Sequence, residues 1–351
     1  MCSSLLHNLL SESGRAPILP LLGNLCSDSP IKLDAKRSNA PTNRFDHYCN
    51  EGYSRATDLE PEKRTQNSSG NFALKFLTPA IVAMGRGATF AEINKELIES
   101  VQIPYCDLSN QRRIAGQLEQ ADRLRRTRRY ALQLTDTFLP AAFLELFGDP
   151  KQNPKEWPEQ TLSAVCRKFS DGPFGSNLKT SDYRSSGVRV VRLQNIGVGE
   201  FLDDDKAFVS KEHFAALQKH ECIPGDVLIG TMGDPNLRAC IQPAHIPIAL
   251  NKADCIQARP DPKHLNPLYL QGLLNIPSTL YLVPGMVHGQ TRARVSMGEL
   301  ARLPIPVPPL PLQQKFAALV ERVERLRAVQ REALRQADHL FASLLNQAFS
   351  G

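Results

Sequence analysis

One stretch of this chain occurs twice. The first copy begins at Gly87 and the second at Gly289, an offset of 202 residues. At that offset Thr89 meets Thr291, Ile93 meets Val295, and Ile103-Pro104 meets Ile305-Pro306. Gln111 then meets Gln313, Arg123-Leu124-Arg125 meets Arg325-Leu326-Arg327, Asp136 meets Asp338, and Phe147 meets Phe349. The match runs without a gap over about sixty residues, so the period is too long for a solenoid and implies a duplicated module. Each module would hold one globular unit and one long helix.

The helices lie at the end of each copy. Residues 109–147 read as one helix, with Asp107 or Ser109 able to accept a hydrogen bond from the first-turn amides and Gly148 just past the last apolar residue. Pro140 lacks the amide for an i−4 bond and is expected to bend the helix. About 38 residues at ~1.5 Å each would span roughly 57 Å. Residues 305–311 (IPVPPLP) read as a stiff extended connector, since each proline fixes its own φ and restricts its predecessor. The second helix follows from 312 to 349. Its apolar residues at 312, 316, 319, 323, 326, 333, 337, 340 and 344 recur in steps of four and three, with Gln330 as a polar break. That is a coiled-coil pattern. The seam of the first helix is rougher (Ile114, Ala121, Leu124, Ala131, Phe138, Ala142, Leu146), and Arg128 stands where the second has Gln330. Sequence alone leaves open whether these two breaks face each other.

Between the helices, residues 150–306 alternate short β-branched runs (188–193, 226–229, 239–241, 255–258) with Gly, Pro, Asn and Asp, and short helices are expected at 211–219, 267–275 and 296–301. The mixture predicts an α+β unit with a mixed or partly antiparallel sheet. Residues 1–75 are rich in Ser, Asn, Asp, Arg and Pro and are expected to be divergent and poorly ordered, because such composition buries little apolar surface. Residues 76–82 echo 281–287, so the duplication extends a little upstream. The expected organisation is therefore a divergent segment (1–75), a remnant of a first globular unit (76–106), the first long helix (107–149), the globular unit (150–306) and the second long helix (307–351).

The net charge of +6 suits either a solvated basic surface or contact with nucleic acid. Eight scattered cysteines form no CxxC pair, which argues against zinc knuckles and redox sites and for free thiols in a reducing compartment. The lack of an apolar run of membrane length, and of a basic segment before an apolar one at the start, point to the cytoplasm. There is no P-loop lysine motif, GxSxG or HExxH, and the histidines form no ligand-spaced pair, so neither catalysis nor a metal site is expected. Trp157 reads most simply as core.

Four stretches carry residue types that contact DNA, and the first two have a plain structural reading beside them. Arg112, Arg113, Arg123, Arg125, Arg126, Arg128 and Arg129 crowd the first helix; a solvated or partner-facing charged face explains them as well as phosphate contact does. In 171–180 the glycines flank Phe174, and Phe174, Gly175, Ser176, Asn177, Lys179 and Thr180 could meet phosphates or base edges, though a Gly-Pro turn alone would look the same. Arg192, Gln194 and Asn195 end a strand with side chains of base-reading type. Gln290, Thr291, Arg292 and Arg294 form a basic loop whose first-copy counterpart (87–92) has lost both arginines.

With these residues in view the chain resembles the DNA-specificity subunits of type I restriction–modification systems. The segments that carry the resemblance are FLELFGDP (143–150), NPKEWP (153–158), GPFGSNLK (172–179), VRVVRLQNIGVGEF (188–201), PGDVLIGTMGD (224–234), GQTRARVS (289–296) and LPIPVPPLPLQQKFA (303–317), in that order. The resemblance implies two α+β target-recognition domains separated by two long helices packed antiparallel, each domain reading half of a split site in double-stranded DNA. It implies that the helices dock methyltransferase subunits, and that a restriction/translocase subunit completes the complex. S-adenosylmethionine, ATP and Mg would be held by those partners, and the specificity subunit would itself be no enzyme. The chain departs from the pattern at its start. A first recognition domain should be about as long as the second, and 1–106 lack GPFGS-like and PGD-like segments. The expectation is a truncated first domain, with 150–306 reading a half-site alone or regaining two by self-association through the coiled coil. The alternative is a coiled-coil scaffold that has lost specific DNA binding.

Overall fold

The duplicated stretch folds twice into the same pair of elements. The structure, a computed structural model, describes residues 61–85, 93–104, 106–233, 235–283 and 294–350; of 61–68, Lys95 and Ser176 it describes the backbone alone. In chain order the helices and strands are α1 (Pro61–Met84), α2 (Lys95–Glu99), α3 (Leu108–Phe147), β1 (Glu159–Thr161), β2 (Cys166–Asp171), β3 (Val188–Val191) and β4 (Ala207–Val209). There follow α4 (Lys211–Ala216), β5 (Glu221–Cys222), β6 (Val227–Gly230), β7 (Ala239–Ile241), β8 (Ala249–Asn251), β9 (Cys255–Pro260), α5 (Pro267–Leu274), α6 (Met297–Ala301), β10 (Pro304–Pro306) and α7 (Leu310–Phe349). Both ends of α2 and α3 map onto those of α6 and α7 at the offset found in the sequence. The details repeat as well. Asn94 accepts a hydrogen bond from the Leu97 amide, and Ser296 from the Glu299 amide. The Gln111 side chain donates to the Cys106 carbonyl at 2.7 Å, and Gln313 to the Pro308 carbonyl at 2.7 Å.

The ends of α3 show why its sequence stops where it does. Asp107 is the N-cap: its Oδ1 accepts from the amides of Ser109 (3.0 Å) and Asn110 (3.1 Å). The Ser109 hydroxyl also donates to it, which with the Asn110 donors holds the Asp107 carboxyl down at about 2. At the other end Gly148 takes φ +82° and returns its amide to the Leu144 carbonyl. The NPKEWP segment completes that cap. Lys155 Nζ donates to the carbonyls of Glu145 and Leu146, and the Trp157 indole donates to that of Phe147 at 3.0 Å. Asn153 braces Trp157 by bonding both its amide and its carbonyl. Trp157 is thus half-buried over a helix end, where the sequence suggested core. The helix continues through Pro140.

Contacts divide the described residues into two compact units, one holding those within 133–327 and the other those up to 132 together with 328–350. Both long helices contribute to each unit. Among the described residues the second unit is all helix. In it 108–132 of α3 and 328–349 of α7 run antiparallel, since Arg128 lies against Gln330 (3.0 Å) while Arg125 and Arg129 reach Asp338 (3.8 and 3.4 Å). The two polar breaks therefore do face each other. An antiparallel pair of equivalent helices puts each break at the one level where a residue meets its own repeat mate. α1 covers this pair: Phe72 meets Phe341 edge-on at 6.0 Å, Phe76 lies 5.9 Å from Phe349, and Ala73 is buried beside Ile114, Leu118 and Ala121. Residues 61–75, expected to be poorly ordered, are part of this helix. So are 76–82, whose sequence echo in 281–282 ends a 3-10 turn; the likeness of these two segments is not one of conformation.

The first unit is α+β. One sheet has the order β2-β9-β6-β7 and is antiparallel throughout; another has the order β4-β3-β8-β5, with β3 and β8 parallel. A two-stranded ribbon pairs β1 with β10, so the start of the proline-rich connector is an edge strand, where a missing amide costs no ladder bond, while its last two residues, Leu310 and Pro311, already belong to α7. The main core gathers Val227, Ile229, Ile256, Leu265, Tyr269 and Leu273 against Phe143, Phe147 and Phe316 of the long helices. Tyr269 stacks on Phe143 (5.6 Å) and meets Phe147 edge-on (4.8 Å), while its hydroxyl donates to the Pro306 carbonyl. Here too 133–147 and 310–327 run antiparallel, with Phe316 against Phe143 and Arg327 against Thr135 and Asp136. The seam differs from the expectation at Leu124 and Leu340, which are 41% and 46% exposed, while Leu118, Phe143, Phe341 and Val320 are buried instead. Each helix packs against a third element as well as its partner, so the apolar stripe is wider than a two-position seam and turned from it.

Candidate nucleic-acid interface

The ends of β2 and β3 and the turn from β8 to β9 converge on one side of the first unit, and the candidate residues cluster there. Gly172, just after β2, touches the Lys252 backbone; a Cβ there would lie 2.1 Å from the Lys252 carbonyl carbon. Only glycine permits that approach. Lys252 in turn donates its amide to the Val191 carbonyl at the end of β3, and its carbonyl accepts from Cys255. This backbone knot fixes three loops against one another.

Beyond the knot, Gly175 adopts φ +62° and opens a 3-10 turn that leaves Phe174 44% exposed. The Arg294 guanidinium lies 5.2 Å from the centre of the Phe174 ring and 2.7 Å from Asp254 Oδ1. Arg294 is held there because the next amide, that of buried Val295, donates to the Thr231 carbonyl, while Thr231 donates twice to the Asp254 carbonyl. On the other side of the knot Tyr183 receives two cations. Lys252 Nζ donates to its hydroxyl at 2.8 Å and lies 5.3 Å from its ring centre, and Arg192 lies 5.6 Å from the same centre. Arg192 also makes an ion pair with Asp205. A continuous row results: Phe174, Arg294, Asp254, Lys252, Tyr183, Arg192, Asp205.

Of the sequence candidates, this row brings together Phe174, Arg192 and Arg294. Gly175 shapes the loop. Asn177 and Thr180 are exposed on the same loop, where the Asn177 carbonyl meets His213, and Lys179 is exposed with its amide donating to Asp182. Gln194 is exposed beside Arg192. Asn195 is a correction: it is fully buried, its amide donating to the carbonyls of Leu202 and Asp205 and its oxygen accepting from the Arg192 amide. It braces its own loop, and no face of it is left for a base edge. Gln290, Thr291, Arg292 and loop 87–92 lie outside the described residues, as does the side chain of Ser176.

Sequence reasoning missed Tyr183, Lys252, Asp205, Asp254 and Arg238. Tyr183 is the one aromatic in a polar run (179–187), and Lys252 sits in an Asn-Lys-Ala-Asp turn, so a weak signal existed for both. Arg238 had none. Its guanidinium donates to the carbonyls of Ile196 (2.6 Å), Met232 (2.6 Å), Pro235 (3.2 Å) and Leu193 (3.1 Å), clamping the loop that displays Gln194. The arginines of α3 are largely engaged within the protein: Arg125 and Arg126 bind Asp122, whose carboxyl burial would raise but whose arginine hydrogen bonds bring down below its usual range. Among the described residues no group of His, Cys, Asp or Glu is arranged to hold a metal ion. Burial raises the thiols of Cys166 and Cys240 to about 12, which leaves them poor nucleophiles.

An α+β body on an antiparallel helix pair, with aromatic rings and cations along one loop-built edge, is the arrangement to set beside known proteins. No protein-family model matches the chain. A curated relative, the type I restriction enzyme MjaVIII specificity subunit of Methanocaldococcus jannaschii, is 20% identical over 166 residues. That match covers 45% of this chain and 39% of the relative, so the chain matches well under half of that relative's length. A solved chain from work on complex assembly and conformational transition of the type I R-M system aligns with a TM-score of 0.52 at 21% identity, covering 80% of this chain and 68% of that one. This likeness shows a shared fold. The type I S subunit of M. genitalium is 17% identical at a TM-score of 0.49, with 80% of this chain and 72% of that one covered. No argument rests on that weaker likeness.

Proposed function

We propose that this chain is the DNA-recognition subunit of a type I restriction–modification complex. In this reading residues 150–306 read one half of a split site in double-stranded DNA, and the antiparallel helices dock methyltransferase subunits. A restriction/translocase subunit joins them. The chain carries no catalytic step; S-adenosylmethionine, ATP and Mg belong to the partners, and the complex works in the cytoplasm. Self-association through the helix pair is one route by which two half-sites would be read.

The observation that carries the reading is the row from Phe174 to Arg192. Four loops distant in sequence converge to place two aromatic rings and three cations on one edge. Guanidinium and ammonium groups bind phosphates, and an exposed ring can meet a base or sugar. One observation favours the scaffold alternative: Arg192 and Arg294 are already paired with carboxylates of this chain. Titration with a random-sequence duplex at low salt separates the two. A DNA reader binds, and log K falls with log salt at about −0.9 per phosphate contacted. A scaffold shows no saturable binding at any salt.

A further inference from the structure

The two cations that would matter most at this edge are each held by a carboxylate that fits them poorly. Asp205 pairs with Arg192 through one oxygen; its Oδ2 and the Arg192 Nε are both buried without a hydrogen-bond partner. Asp254 Oδ1 stands 2.7 Å from Arg294, yet that oxygen has no partner in hydrogen-bonding geometry, and Asp254 itself is held at φ +69°. An arginine held by a carboxylate frequently meets it in a fork, with two parallel bonds. Elsewhere in this unit that is what happens: Asp226, 1% exposed, takes Arg259 on both oxygens at 2.8 and 3.0 Å and also accepts from Gln257 and the Ile223 amide. The two pairs at the edge lack that fork, a geometry they share in this unit with Arg189 and Asp203.

Resting on the DNA-binding reading, we infer that Asp205 and Asp254 are internal stand-ins for DNA phosphates. Each neutralises an arginine of the edge in the free protein and gives it up to a phosphate oxygen on binding. The charge arithmetic sets the consequence. When a phosphate replaces Asp254 on Arg294, the carboxylate must be released and rehydrated, and the ionic atmosphere it regains offsets part of the gain from counterion release. Non-specific affinity is then held down, because any duplex must displace the carboxylates. A cognate half-site adds base contacts that a random duplex lacks, so discrimination widens. The two aspartates are thus specificity-determining residues that touch no base.

The experiment uses the full chain and a random-sequence duplex, with affinity measured across a salt series. The variants are Asp205→Asn and Asp254→Asn. Glu321→Gln, at an exposed position of α7, removes the same charge outside the edge. The inference expects each site variant to bind several-fold tighter than wild type, with a salt slope at least as steep, because the arginine no longer has to be taken from its carboxylate. Glu321→Gln should leave the slope unchanged. In Asp254→Asn/Arg294→Gln the gain should vanish, since it depends on the arginine released. Wild-type binding with slopes unchanged in both site variants overturns the inference and leaves the DNA-binding reading intact. A saturable response from none of the proteins overturns that reading, and the inference with it. The two pairs lie on separate loops, so if one variant fails to fold, the other decides.

Discussion

At the residue scale, the same chemistry serves two ends within one domain. Asp226 belongs to the PGD segment that gives this chain part of its sequence resemblance, yet it is a buried structural anchor. It ties β6 to β9 through Gln257 and Arg259 and the preceding turn through the Ile223 amide. Removing one partner of such a pair leaves the other charge without compensation in a poorly solvated place. Asp226→Ala should therefore destabilise the first unit by about 3 kcal/mol, read as a lowered midpoint in urea. A loss below about 0.5 kcal/mol, the range of a neutral surface change, would show that the anchor is not one. Asn195 teaches the same lesson from the other side. Its residue type suggested base reading, but two of the three hydrogen bonds that consume it depend on where residues 202 and 205 fold back, which no local pattern encodes. Exposure of Gln194, its neighbour, follows from that burial and from the Arg238 clamp.

At the scale of elements, the long helices were the most legible part of the chain. The ends of α3 coincide with capping residues written in the sequence, Asp107 before it and Gly148 after it. The strands were legible in part, at 188–191, 227–229, 239–241 and 255–258, where β-branched or apolar runs are mostly buried on both faces. β1, β2, β4, β5, β8 and β10 were missed because they are short or polar, and register with a neighbour rather than propensity makes them strands. The helix seam was misjudged at Leu124 and Leu340, because a two-helix template cannot anticipate the third element on each pair. This correction has a direct consequence. Phe143→Ala, at the junction of Phe147, Tyr269 and Phe316, should cost about 3–5 kcal/mol. Leu124→Ala, at a position a coiled-coil seam would bury, should cost under about 1 kcal/mol. Thermal melts of the two variants check this, and equal losses would restore the simple seam.

At the scale of the whole molecule, the duplication is faithful in the helices and lopsided elsewhere. The offset that relates α3 to α7 also relates their contacts: Arg125 with Asp338, and Arg327 with Asp136, are images of each other, and Arg128 and Gln330 are repeat mates in contact. Around them the two units differ. One carries the sheets and the basic, aromatic edge; the other, among the described residues, carries α1 in the place where its partner packs α5 against helix-end phenylalanines. This asymmetry was visible in the sequence as a repeat whose first copy lacked the glycine-flanked loop and the paired arginines. The proposed recognition edge thus stands on one half of a duplicated two-helix frame. It is tested most directly by sequencing the methylated bases of cells that contain the cognate methyltransferase, with and without this chain. The account predicts that one methylated DNA motif disappears when the chain is removed and returns when it is restored. An unchanged set of methylated motifs would contradict it.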